Sequence, residues 1–153
     1  MTKAIVVYES KYGNTKRVAD TVAEAMRQNG VETVVSELKE VDPDKISDYN
    51  AILIGSPNHI RGPTRSVRKF IDNMGKLGLK ENLYAVFDTY IGKDFETAVK
   101  KMEKLLEEKV PDLKRIAPGL SVRVQGMKGP IPDEELPKCK EFGNKIAMQI
   151  KTG

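Results

Sequence analysis

Short runs of branched and aromatic apolar residues recur along this chain. Each is followed by a stretch whose apolar residues repeat at helical spacing, and that alternation restricts the fold more than any other feature. Strands are predicted at Lys3 to Tyr8, Val31 to Leu38, Ala51 to Gly55, Leu83 to Asp88 and near Leu120 to Val124. Strand–helix alternation is the sequence form of a parallel sheet with crossover helices, so the class is α/β. The first, third and fourth runs are almost unbroken apolar stretches, as in strands covered on both faces by helices. The second is more polar and is predicted to lie at an edge.

Four helices fill the intervals. Val18, Ala19, Val22, Ala23 and Met26 form one stripe, with Gly30 as its C-cap. Pro63 suits a first helical position ahead of Val67, Phe70, Ile71 and Met74. Phe95, Ala98, Val99, Met102, Leu105 and Leu106 make a third stripe, stopped by Pro111. The last helix begins near Pro132-Asp133-Glu134-Glu135, whose acids suit a helix N-terminus, and buries Cys139, Phe142, Ile146, Ala147 and Ile150. The segments 39–49 and 109–119 read as ordinary connections. A length of 153 residues leads to the expectation of one domain over 1–153.

Composition removes several function classes. One Cys furnishes neither a disulfide framework nor a thiolate metal site, and the single His belongs to no evident Ser-His-Asp constellation, so no metal site and no such triad are expected. The formal charge is +4, but cations alternate with acids along the helices, and aromatic residues are 6% with no Trp. That is a solvated surface rather than a nucleic-acid stripe, and the mild excess favours an acidic partner protein. The first apolar run is too short for a secretory segment or a membrane span, which leads to the expectation of a cytoplasmic protein away from membranes.

In an open doubly wound sheet, ligands sit beyond the carboxyl ends of the strands. After the first strand comes Glu9-Ser10-Lys11-Tyr12-Gly13-Asn14-Thr15, leading directly into a helix. Such a loop can aim backbone N–H groups and the Ser10, Asn14 and Thr15 side chains at a phosphate, aided by the helix dipole. It can equally be an N-capped turn in which Asn14 or Thr15 satisfies the helix end. The loop contains neither G-x-G-x-x-G nor G-x-x-x-x-G-K-[ST], which disfavours a dinucleotide site and a Walker loop.

Tyr8-x-Ser10-x-Tyr12-Gly13-Asn14-Thr15, with Ala19, resembles the phosphate-binding signature of the flavodoxin family. The resemblance extends over the chain through the order and length of its elements. It implies a doubly wound five-stranded parallel sheet of order 2-1-3-4-5 and an FMN cofactor, with Ser10, Lys11, Tyr12, Gly13, Asn14 and Thr15 around the phosphate. Gly55-Ser56-Pro57-Asn58-His59-Ile60-Arg61-Gly62-Pro63 resembles the family's loop along one side of the isoalloxazine. That assigns Ser56, Pro57, Asn58, His59, Ile60, Arg61 and Gly62 to the cofactor. His59 can tune the flavin or be a solvent-exposed loop residue, and Arg61 can sit near the ring or face solvent. In the third loop, Asp88, Thr89, Tyr90 and Gly92 match the pyrimidine edge, with Tyr90 the candidate stacking aromatic and a surface tyrosine as the alternative. The short third loop, the absence of Trp and the basic charge resemble the flavodoxin domain of A-type flavoproteins and stand-alone archaeal versions.

The resemblance implies an electron carrier between redox partner proteins rather than a dedicated enzyme. The alternative is an FMN-dependent oxidoreductase of the same fold acting on a quinone, a porphyrinogen or NAD(P)H. A third reading is a non-redox binding module. Phosphoryl-transfer signalling on this topology needs an acidic cluster after the first strand and an aspartate ending the third, where this chain has Glu9-Ser10 and Gly55-Ser56.

Overall fold

The structure is a computed structural model that describes residues 2–152; the two ends of the predicted domain, Met1 and Gly153, lie outside the described residues. The elements run β1 (Lys3–Tyr8), α1 (Asn14–Gln28), β2 (Glu32–Glu37), β3 (Ala51–Pro57), α2 (Arg65–Met74), β4 (Leu83–Tyr90), α3 (Thr97–Lys109), β5 (Lys114–Arg115), β6 (Leu120–Arg123) and α4 (Leu136–Thr152). Short 3-10 segments occupy 38–40, 43–48 and 133–135.

All strand pairings are parallel, in the order β2-β1-β3-β4-β5, with β6 also on β4. The doubly wound sheet is thus as expected, with β2 at an edge, except that the outer strand is split. β5 pairs with the start of β4 (Leu83↔Lys114), and β6 pairs with its end (Phe87↔Leu120). The interruption falls at Ile116-Ala117-Pro118-Gly119, where Pro lacks the N–H a ladder needs. Segment 109–119, read as a plain connection, therefore contains a two-residue strand.

The period-2 alternation of the strands sorts the core into two layers. Ala4, Val6, Tyr8, Leu53, Ala85 and Phe87 face α1 and α4, while Ile5, Val7, Ile52, Ile54, Tyr84 and Val86 face α2 and α3. Gly143 lets α4 approach α1 closely, since a Cβ there would lie 2.6 Å from the Val22 carbonyl oxygen. Cys139 is buried in the first layer, and burial pushes its thiol up to about 12.

Two helix starts differ from the sequence expectation. Pro63 precedes α2, whose N-cap is Thr64, with Oγ1 accepting from the Val67 N–H at 3.2 Å. Phe95 does not join the buried stripe of α3; it precedes the helix and is 56% exposed. A left-handed Glu96 (φ 61°) turns the chain into α3 one residue later and leaves Phe95 outside.

Candidate functional site

The carboxyl ends of β1, β3, β4 and β6 open onto a cavity of about 650 Å³. Of the residues assigned from sequence, it brings together Ser10, Lys11, Tyr12, Asn14, Thr15, Pro57, Asn58, His59, Thr89 and Tyr90.

The first wall is the loop after β1. Gly13 (φ 91°) occupies the N-cap position of α1, and no side chain caps that helix end. The two readings of this loop are thereby separated, because neither Asn14 nor Thr15 caps the helix. The Ser10 hydroxyl instead accepts from the Gly13 N–H at 3.0 Å, which closes the loop on itself. The first turn carries no acidic residue. Its N–H groups and the positive end of the helix dipole therefore lie beside the cavity without a side-chain acceptor, an arrangement that favours an anion.

The second wall is the loop after β3. Ser56 is fully buried; its hydroxyl accepts from the Thr64 N–H at 3.1 Å and donates to the Pro57 carbonyl, so it braces the loop and does not line the cavity. Asn58 donates from both its backbone N–H and its Nδ2 to the Thr89 carbonyl, at 3.0 and 3.1 Å. Its Oδ1 is buried without a partner. An orphaned acceptor costs about 1–3 kcal/mol, which a ligand N–H at this wall would recover. The loop then turns through left-handed Ile60 (φ 52°) and Arg61 (φ 60°), held by a 2.7 Å bond from the His59 N–H to the Gly62 carbonyl. Ile60, Arg61 and Gly62 lie outside the lining. Gly62 is buried, where a Cβ would lie 2.6 Å from the Arg68 guanidinium.

The third wall is the end of β4, where alternation sends neighbouring side chains to opposite faces. Thr89 points towards α1, its hydroxyl 3.0 Å from that of Thr15. Asp88 points the other way, wholly buried beneath α3, accepting from the Ser121 hydroxyl at 2.5 Å and the Val99 N–H at 3.0 Å. It caps α3, away from the cavity. Burial pushes its carboxyl up to about 6, against the hydrogen bonds from Ser121, Val99 and Asn58 that hold it down. Tyr90 lines the cavity with its ring braced edge-on by Phe95, centroids 5.5 Å apart at 70°. Gly92 (φ 62°) lies beyond the lining and permits the turn after Ile91.

A fourth wall escaped the sequence reading. Val124, Gly126 and Met127 follow β6, with the Tyr12 hydroxyl 3.9 Å from the Met127 sulfur. Its signal was the Gly126-Met127-Lys128-Gly129-Pro130 punctuation after the fifth predicted strand, subject to the same rule that identified the other loops. Glu9, Thr64, Arg65, Ser66 and Ile91 are further lining residues not assigned from sequence. Glu9 accepts from the Thr64 hydroxyl at 2.6 Å, which ties the first wall to the cap of α2. Among the described residues, no cluster of three or more His, Cys, Asp or Glu side chains is placed to hold a metal ion, and no helix is long and apolar enough to cross a membrane.

The donor set suits a flat, anionic, partly apolar ligand such as a flavin mononucleotide. An uncapped helix end is available to a phosphate, peptide groups and an orphaned amide oxygen to a polar ring edge, and Tyr12, Tyr90 and Met127 to ring faces.

Comparison with known proteins agrees. A family model described as "Flavodoxin domain" matches residues 5–124. A Methanocaldococcus jannaschii protein named only as uncharacterized is 29% identical over 150 residues, 95% of this chain and 36% of its own length. An Archaeoglobus fulgidus protein named NAD(P)H dehydrogenase (quinone) is 26% identical over 108 residues, 54% of this chain and 56% of its own. The chain thus spans about a third to just over half the length of these curated relatives. Among solved structures, a flavodoxin from the domain Archaea superposes with a TM-score of 0.84 at 26% identity, covering 98% of this chain and 99% of that one.

Proposed function

The chain belongs to the flavodoxin family, whose members bind FMN, and from that premise we propose that it holds one FMN in the four-walled cavity and carries electrons between redox partner proteins. The observation that carries the reading is the uncapped N-terminus of α1 at one wall combined with the orphaned Asn58 acceptor at another. Neither group is satisfied within the chain, and the two match the two polar extremes of a flavin mononucleotide.

Bound FMN supplies one- and two-electron redox chemistry. The residues of this chain do the rest. Ser10, Lys11, Asn14 and Thr15, with the amides of the first turn, hold the phosphate. Asn58 and the backbone of Pro57 and His59 orient the polar edge of the ring. Tyr12, Tyr90 and Met127 cover its faces and restrict water, which sets how strongly the site favours one charge state of the ligand over another. Asp88, Ser56 and Gly62 act beneath the surface by fixing the loops. No side chain needs to form a covalent bond with the ligand.

A flavin-dependent oxidoreductase is the second reading, favoured by the printed name of the Archaeoglobus relative. Stopped-flow reduction by NAD(P)H separates the two: fast direct reduction supports an enzyme, and slow reduction a carrier fed by another protein. The cofactor assignment is tested by adding FMN, removing the excess and recording the visible spectrum. Flavin bands near one per chain are expected, and a colourless protein overturns the reading.

A further inference from the structure

Seven large apolar side chains stand in solvent among the described residues, and five belong to the loops around the cavity mouth: Tyr12 (39% exposed), Ile60 (87%), Ile91 (41%), Phe95 (56%) and Met127 (68%). One comes from each of the loops after β1, β3 and β6, and two from the loop after β4. The other two, Val34 and Met148, lie elsewhere; at the mouth, Tyr12, Ile91 and Met127 line the cavity and border its ligand, whereas Ile60 and Phe95 stand outside the lining, where neither the core nor a cavity ligand accounts for their exposure.

The backbone of Ile60 strengthens the point. A β-branched residue in the left-handed region is disfavoured, yet Ile60 and Arg61 both sit there. The turn is pinned by the bond from His59 N–H to the Gly62 carbonyl and by Lys101 Nζ donating to the Arg61 carbonyl. The strained turn presents the most exposed large apolar side chain beside the mouth and buries little in return.

The fully exposed charge around this apolar ring is basic. In segments 9–13, 58–64, 91–96 and 124–132 the exposed charged side chains are Lys11, Arg61, Lys93 and Lys128. Glu9, Asp94 and Glu96 are half-buried, and Glu9 is engaged by Thr64. The next exposed acids, Asp133 and Glu134, lie in the turn before α4, and Glu134 is paired with Arg123.

We propose that this ring is the docking face for an acidic electron-transfer protein, whose apolar centre covers the cavity mouth while its carboxylates meet Arg61, Lys93 and Lys128. The inference rests on the carrier reading of the cavity and specifies the partner. Apolar residues inside a rim whose exposed charges are basic suit a transient redox encounter: the charges steer and orient, and the small apolar centre holds briefly.

The test uses the full chain, ¹⁵N-labelled and incubated with FMN, titrated with two small iron–sulfur redox proteins, one strongly acidic and one basic. Vesicles of anionic phospholipid form a third arm. The acidic protein is expected to shift amides of 58–62, 91–96 and 126–128 and spare α4. Its Kd should rise about tenfold or more in Lys93→Glu/Lys128→Glu and again with added salt, and several-fold in Phe95→Ser. Equal binding of both proteins, shifts centred elsewhere, insensitivity to the charge reversals, or vesicles acting at this face in place of the acidic protein would each overturn the proposal. Flavin uptake is read by absorbance in the same samples. Docking without flavin uptake supports the face and overturns only the cofactor assignment.

Discussion

The hydroxyls of Thr15 and Thr89 lie 3.0 Å apart, both residues buried, across 74 positions of sequence. The pair joins the first turn of α1 to the end of β4, so it fixes the separation of two cavity walls before any ligand arrives. Replacing one partner leaves the other hydroxyl buried and unpaired, whereas replacing both removes the mismatch. Thr15→Val and Thr89→Val should each cost about 1–2 kcal/mol, and the double variant clearly less than their sum. Urea unfolding of the flavin-free protein measures the cycle; strict additivity would show that the two hydroxyls do not interact.

Asp88 makes stability depend on pH. Its carboxyl titrates at about 6 in the folded chain against an ordinary 3.8, because burial disfavours the charge. The folded state therefore binds more protons than the unfolded state between these values. The protonated form's advantage is fully present below about pH 4 and is lost as pH rises through about 6, a loss of about 3 kcal/mol. Asp88→Asn keeps an acceptor for the cap of α3 without the charge. Urea unfolding at pH 5 and pH 7.5 should show the parent chain losing stability across that interval relative to Asp88→Asn. Parallel curves would show that Asp88 is not the titrating group.

The layer arrangement was legible because apolar periodicity reports the burial of each face, and strands β1, β3 and β4 carry it without interruption. The split edge strand was not. Lys114 and Arg115 are both exposed, so the two-residue pairing leaves no apolar pattern. Within the site, Ser10 to Thr15 and Pro57 to His59 could be read because short polar loops following buried strands have one place to go. Asp88 could not be placed by type alone, since the boundary of β4 decided its direction and the strand extends two residues past the predicted end. Tyr90 and Thr89 are strand residues for the same reason. The loop after β6 announced itself only through Gly126, Gly129 and Pro130, with no charged or catalytic residue type to draw notice.

Gly55 and Phe87 are register partners on β3 and β4, and a Cβ at position 55 would lie 2.1 Å from the phenyl ring. The ring fills the space that the missing side chain leaves. Gly55→Ala should destabilise the protein by about 1–3 kcal/mol through overpacking. Phe87→Leu in the same chain should recover part of that loss, although it is destabilising alone. Thermal unfolding of the three variants and the parent checks this, and a Gly55→Ala chain as stable as the parent would show that the ring moves aside freely.

The loop after β1 offers a test that separates phosphate from ring. Ser10 is half-buried at the cavity wall, and its hydroxyl closes the loop onto Gly13. A carboxylate introduced there would stand beside the uncapped end of α1 and compete with an incoming phosphate for the same positive potential. Ser10→Glu should weaken FMN binding by about 2 kcal/mol or more, roughly thirtyfold. Riboflavin carries the same ring without the phosphate, so its much weaker binding should change little. Ser10→Asn keeps an acceptor for the Gly13 N–H without adding charge and should retain most FMN affinity. Fluorescence titration with both flavins reads all of these. Equal losses for FMN and riboflavin would mean that the substitution deforms the loop, and unchanged FMN affinity would move the phosphate away from α1.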